Sequence, residues 1–349
     1  MSATISPARG TTHTGLALAV ASAFAFGGSG VAAKPLIEAG IDPLHVVWLR
    51  VAGAALVMLP LAVHHRSALR LRPGLLLGFG LLAVAGVQAF YFASLSYIPV
   101  GVALLVEYLA PALVLLWVRF VQRRPVTRAA ALGVVLAVGG LACVVQVWSG
   151  LAFDPVGLLL ALGAAGCQVG YFLLSDRGHA GDGRAAVSPV AVIAYGLLVG
   201  AAVLTVVARP WQLDWSVLGG GAQLGGVEAP RIALIGWIVL VSTVAAFLTG
   251  VLAVRRLSPQ VAGVVACLEA VIATVLAWAL LDERLAGAQL AGGLMVLVGA
   301  LIAQRATPSA TEPEAEPADP VRQKQAQERP EQEQQGREQQ PDRALQAVR

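Results

Sequence analysis

Residues Gly101–Trp117 read GVALLVEYLAPALVLLW. Every position but one is at home in hydrocarbon, and that one is Glu107. The run is long enough to cross most of a bilayer as a helix, which takes about 20 apolar residues. A carboxylate in such a segment is costly, at least ~2.5–3.5 kcal/mol on insertion scales, so it asks for a reason. Working outward, Leu75–Ala93 and Val190–Ala208 are apolar runs of the same kind. They are continuous rather than alternating, which fits helices and not barrel strands.

The whole composition agrees. Of 349 residues, 57% are hydrophobic and only 13% charged. A soluble domain carries about 25% charged residues, so this chain cannot clothe a water-facing surface. The fold class expected is an all-α polytopic membrane protein of ten transmembrane helices, built as two inverted five-helix repeats. The spans fall near 14–33, 44–63, 74–96, 100–121, 128–147, 154–175, 188–208, 231–254, 259–281 and 286–304. The first run is too long for a signal-peptide core and is followed by a further span, so it reads as the first helix.

Arginines cluster after the even-numbered spans: Arg66, Arg70 and Arg72, then Arg123, Arg124 and Arg128, then Arg177 and Arg184, then Arg255 and Arg256, then Arg305. The alternate loops hold only Lys34, Arg209, Arg231 and Arg284. By the positive-inside rule both termini face the cytoplasm and the 209–231 loop is external.

Internal similarity sets the organisation. Gly15-Leu-Ala-Leu-Ala aligns with Gly157-Leu-Leu-Leu-Ala, and Asp42-Pro43-Leu44 with Ser188-Pro189-Val190. Gly133 and Gly140 match Gly292 and Gly299, while Arg123-Arg124-Pro125 matches Asp282-Glu283-Arg284 with its charge largely reversed. An odd number of spans per repeat turns the second copy upside down, a pattern of secondary transporters. The boundaries expected are a cytoplasmic N-terminus at 1–13, repeats at 14–147 and 154–304, and a tail at 305–349. That tail is rich in Gln, Glu, Pro and Arg and reads as disordered.

Within the spans the ionisable groups are few: Arg50, Glu107 and Glu269. At ~1.5 Å per residue, Arg50 lies about 9 Å and Glu107 about 10 Å below the outer surface, so the two are placed to meet as a pair. By the same rise Tyr91 lies about 8 Å and Gln88 about 12 Å deep, three residues apart on one helical face. Trp48 and Ser29 sit at similar levels. Glu269, about 15 Å from the inner end of its span, is near the midplane. The candidate substrate- or proton-binding residues are therefore Glu107, Arg50, Tyr91, Gln88, Trp48 and Glu269. Gln168, Ser242 and Thr243 are candidate polar neighbours, with Thr243 expected to bond its own helix backbone. The simpler alternative is a set of interhelical hydrogen bonds that only lock the bundle.

Other chemistry is sparse. Cys143, Cys167 and Cys267 lie in apolar runs without metal-ligand spacing. The five histidines sit at span ends or in loops. No Walker motif or dinucleotide fingerprint occurs, so ATP is not the direct energy source. No cofactor, metal or nucleic-acid partner is expected. Gly74–Gly78, Gly166–Gly170 and Gly196–Gly200 have the spacing of close helix contacts.

Ile98-Pro-Val-Gly-Val-Ala-Leu-Leu-Val-Glu-Tyr-Leu-Ala-Pro111, the stretch Ser242-Thr243 through Leu257-Ser-Pro259, and Cys267-Leu-Glu-Ala270 followed by Leu281-Asp-Glu-Arg-Leu285 resemble the ten-helix, EamA-type branch of the drug/metabolite transporter superfamily. Ala270 stands where the second copy has Pro, and Asp282 where it has Gly. The first copy is similar to the threonine/homoserine exporter branch. The resemblance implies a secondary transporter that exports a small metabolite or amino acid across a bacterial cytoplasmic membrane by alternating access, with protons as a coupling option. Its implied partners are a small-molecule substrate and the lipid bilayer, with a homodimer as a further option. An intramembrane enzyme acting on a lipid-linked substrate is the alternative reading, and an assembly subunit a third.

Overall fold

The computed structural model describes residues 9–123, 125–149, 152–179, 187–254, 256–257 and 259–306. The segment expected to be a disordered tail, beyond residue 306, lies outside the described residues. Among those residues ten long helices follow in order: α1 (Arg9–Glu38), α2 (Pro43–His64), α3 (Pro73–Ser94), α4 (Val100–Phe120), α5 (Arg128–Val145), α6 (Pro155–His179), α7 (Pro189–Ala208), α8 (Arg231–Val254), α9 (Pro259–Leu281) and α10 (Gly287–Ala306). Nine of them are long and apolar enough to cross a membrane; in the other, α9, the part Cys267–Leu281 is a shorter apolar helix. The protein is an all-α polytopic membrane protein, as its composition requires.

Proline explains several starts and one break. Pro43, Pro73, Pro155 and Pro189 open their helices, where the missing N–H costs nothing. Inside α4, Pro111 cannot donate to the carbonyl of Glu107, and the helix breaks into a turn at Tyr108-Leu109. The break therefore falls at the one carboxylate of the span.

Helix packing follows a two-fold scheme. Helix α5 packs along α10 and α2 along α7, each pair joining equivalent spans of the two repeats; α1 packs on α8 and α9, as α6 packs on α3 and α4. Both equivalent pairs run antiparallel. Tyr195 donates to the Ala62 carbonyl near one end of the α2–α7 pair, and Trp48 to Thr205 near the other. In the α5–α10 pair Gly133 abuts Gly299 and Gly140 abuts Gly292. Chain equivalents meeting in opposite directions is what inversion of the repeats demands.

The glycine seam is the closest helix contact of this kind. A Cβ at Gly140 would lie 2.6 Å from the Gly292 carbonyl oxygen, and one at Gly292 2.6 Å from that of Gly140. Only hydrogen fits there. Of the expected Gly-x-x-x-Gly pairs, Gly196 and Gly200 also make a backbone approach, with a Cβ at Gly80 2.9 Å from the Gly196 carbonyl oxygen and one at Gly200 3.4 Å from that of Gly80, whereas Gly78 and Gly170 receive leucine side chains and Gly74 and Gly166 face nothing within 4 Å.

Two local features are also duplicated. Helices α3 and α8 each begin with six α-helical residues and then widen into π-helix, over Phe79–Gly86 and Trp237–Ala245. Arg123 and Asp282, matched in the repeat alignment, both take the left-handed backbone, with φ of 56° and 53°.

Two expectations need correction, and one feature was not anticipated. Helix α1 continues past Ala33, through Pro35, to Glu38, so Lys34 is a helical residue rather than a loop one. Arg231 opens α8 and folds back to donate to the carbonyls of Gly221 and Val217. The α7–α8 loop is ordered: after two short 3-10 turns, strands β1 (Gly221–Leu224) and β2 (Val227–Pro230) pair antiparallel about Gly225-Gly226, both at positive φ. In that loop Asp214 accepts from the backbone N–H and hydroxyl of Ser216, which hold its carboxyl below the usual range.

Candidate functional site

Arg50 is 3% exposed and lies where α2, α3 and α8 meet. Its Nε donates to Thr243 Oγ1 at 2.8 Å, Nη1 to Gln88 Oε1 at 2.7 Å and Nη2 to the Ser242 carbonyl at 3.2 Å. The guanidinium carbon stands 5.3 Å from the Phe92 ring centroid, a cation–π contact. The expected Arg50–Glu107 ion pair does not form among the described residues, because three neutral acceptors from α3 and α8 take the guanidinium first. Glu107, Glu269 and Tyr91 are nonetheless within Coulombic range of Arg50.

Two of the three partners of Arg50 come from the π-helical stretch of α8. Ser242 and Thr243 belong to the widened part of α8, and Gln88 follows that of α3 by two residues. Thr243 Oγ1 donates to the Ile238 carbonyl five residues back, the spacing of a π turn rather than of an α turn. The expectation for Thr243 was thus half complete. It bonds its own backbone and also receives Arg50.

The two carboxylates come from opposite repeats. Glu107 closes the first half of α4, beside the Pro111 break, and has no hydrogen-bond partner among the described residues. Glu269 on α9 accepts from Tyr108 Oη at 3.5 Å, a long contact. Gly27 on α1 lets that helix lie against the Glu269 carbonyl. Tyr91 is buried, and its hydroxyl occupies space that a side chain at Gly30 would need. Ser29 Oγ and Ser242 Oγ are buried and have no partner among the described residues. Arg50, Gln88, Tyr91, Glu107 and Glu269 thus share one electrostatic neighbourhood.

Trp48 stands apart. Its indole N–H donates to Thr205 on α7 at 2.8 Å and its ring meets Trp215 edge-on at 6.2 Å. Gln168 makes no hydrogen bond to the cluster among the described residues. Nor do three or more His, Cys, Asp or Glu side chains come together there as a metal site.

Sequence reasoning missed a second charged group. Lys34 Nζ forms an ion pair with Glu283 Oε1, with both side chains largely buried. Glu283 Oε2 also accepts from the Val100 N–H at 2.9 Å, capping the start of α4. The contact ties α1 and α4 of the first repeat to the α9–α10 turn of the second. A cleft of about 610 Å³ lined by Lys34, Glu38, Asp42, Ser96 and Tyr97 lies at the same end. An apolar cleft of about 270 Å³, lined by Phe26, Pro189, Phe247 and Val254, lies towards the opposite ends of α7 and α8.

Known proteins share this plan. The chain is 28% identical over 289 residues to the threonine/homoserine exporter RhtA of Escherichia coli (strain K12), covering 82% of this chain and 88% of that protein. It is 28% identical over 210 residues to the protein of the same name from Salmonella typhimurium (strain LT2), covering 60% of this chain and 64% of the relative's length. A crystal structure matches with a TM-score of 0.52 at 21% identity, over 84% of this chain and 96% of that one, which supports the fold alone. Most directly, the description of one transporter family fits twice, at residues 13–146 and 155–304, once for each set of five helices. On that double match and the inverted packing, the chain belongs to the EamA-like transporter family.

Proposed function

We propose that this protein is a secondary transporter that exports a small amine-bearing metabolite, with amino acids of the threonine/homoserine type as the first candidates. The reading places it in a cytoplasmic membrane with both termini inside. It works by alternating access, and its proton coupling resides in Glu107 and Glu269. The single observation that carries it is the gathering of one guanidinium and two carboxylates inside an apolar bundle, at the junction of the repeats.

The charge balance supplies a mechanism. With both carboxylates ionised, one guanidinium leaves one carboxylate uncompensated. Burial favours the neutral acid and a nearby cation favours the anion, so that site calls for a positive partner. A proton and a substrate ammonium are two such partners, and they exclude each other. Loading the amine from the cytoplasm would expel a proton; reprotonation from outside would expel the amine. Such competition is antiport.

The Lys34–Glu283 pair ties α1 and α4 to the α9–α10 turn at the end that the arginine distribution makes external, beside the 610 Å³ cleft, and the smaller Phe26–Phe247 cleft lies at the cytoplasmic end. Opening outward must break that pair and release the α4 cap. The names of the relatives support the substrate class, and the family supports a carrier rather than an enzyme.

The test is counterflow in proteoliposomes. Vesicles loaded with unlabelled threonine or homoserine should accumulate the labelled amino acid, chemically unchanged. Absence of uptake with both, or recovery of a modified product, would refute the reading.

A further inference from the structure

We propose that Thr243 is a positioning residue that holds Arg50 as the anchor for the substrate's carboxylate. This rests on the export of amino acids proposed above. It adds a second recognised group to the ammonium and assigns a role to a residue that contacts no substrate.

Three contacts hold the Arg50 guanidinium. All three of its hydrogen-bond partners are neutral: a threonine hydroxyl, a glutamine amide oxygen and a backbone carbonyl. They fix the group without cancelling its charge. Of the five N–H bonds of an arginine, three are spent and two remain. Glu107 and Glu269 lie within Coulombic range of Arg50 but accept none of its N–H bonds among the described residues, which leaves those two donors for a further anion, and a planar carboxylate matches the guanidinium fork.

Thr243 sets the direction. Its single O–H is committed to the Ile238 carbonyl at 2.8 Å, so a lone pair must face Arg50 Nε, also at 2.8 Å. The residue is 1% exposed, and the π-helical stretch allows the five-residue reach to Ile238. Valine has the same shape but no oxygen; serine has the oxygen but one methyl less. The Nε contact is then the feature that the two substitutions separate.

The experiment compares the wild type, Thr243→Val and Thr243→Ser in counterflow of labelled threonine, with threonine amide as competitor. The amide keeps the ammonium and lacks the carboxylate. Losing one hydrogen bond to a charged group should raise the KM for threonine about tenfold in Thr243→Val, with kcat per folded molecule nearly unchanged. The preference for threonine over its amide should shrink by the same factor. Thr243→Ser should restore both. Folded protein with unaltered KM and unaltered preference would overturn the proposal. So would loss of folded protein in both Thr243→Val and Thr243→Ala while Thr243→Ser folds, since that assigns Thr243 to folding. No counterflow by the wild type would sink the functional reading as well, whereas normal wild-type counterflow beside an unaffected Thr243→Val sinks this proposal alone.

Discussion

The α5–α10 seam and the Arg50 cluster are both places where the two repeats meet, yet they treat the repeat differently. At the seam, equivalent positions carry the same residue: Gly133 and Gly140 face their own counterparts, Gly299 and Gly292, across the contact. In the cluster no charged position is duplicated. By the same alignments Arg50 corresponds to Gly196, Glu107 to Ala266 and Glu269 to Ala110. Gly196 receives the Phe79 ring, and Ala110 is buried. Symmetry is kept where helices must only pack. It is broken at the cluster proposed to bind substrate.

The largest effect expected is at the seam. Gly140→Ala forces a methyl group to within 2.6 Å of a backbone carbonyl that has no freedom to move aside. It should destabilise the protein by about 2 kcal/mol or more. Gly139→Ala is the control, because a Cβ there meets only Met295 Cε, at 3.9 Å. Thermal unfolding in detergent should separate the neighbours clearly. Equal melting temperatures would remove the seam from the account.

Next comes the cluster. Glu107→Gln should fold, because Glu107 bonds to nothing among the described residues, and should cut transport at least about tenfold while flattening its pH dependence. Arg50→Met combined with Glu107→Met should not restore transport, since the two are not a structural ion pair. Full recovery in that double variant would show that the cluster only holds helices together.

A smaller effect is expected at the Lys34–Glu283 contact. Glu283→Gln should leave the fold intact and favour opening at that end. In a background lacking the three native cysteines, thiol labelling at Ser94→Cys should quicken about fivefold, the equivalent of ~1 kcal/mol for a partly buried pair. Unchanged labelling would mean the pair does not gate. The smallest effect is at Trp48: because its indole serves Thr205 and Trp215, Trp48→Phe should alter KM less than about twofold. A large change would bring α7 into the binding site.

Much of the fold was legible because span length and charge placement are imposed by the bilayer itself. The helices α2 to α10 begin and end within a few residues of the apolar runs, and the glycines that align the repeats are the ones that meet at the seam. Arg50, Glu107 and Glu269 stood out because a charge in hydrocarbon needs a cause. What could not be read was who meets whom. Depth alone made Arg50 and Glu107 partners, but α8 delivers Thr243 to Arg50 from 193 residues away. The π-helical stretch has no local periodicity to betray it. Lys34 was misplaced because the apolar run ends at Ala33, although the helix continues through Pro35 to Glu38. The hairpin, by contrast, was written in Leu224-Gly225-Gly226-Val227, a two-residue turn signal overlooked inside a long polar loop.

The central claim is that a proton and a substrate amine compete for the carboxylates of the cluster. Proton release on binding measures it. Threonine or homoserine is titrated calorimetrically into the purified protein in buffers of different ionisation enthalpy, near neutral pH. The account predicts that binding releases about one proton per substrate, and that the release disappears in Glu107→Gln with Glu269→Gln. Tight binding with no proton released by the wild type would contradict it.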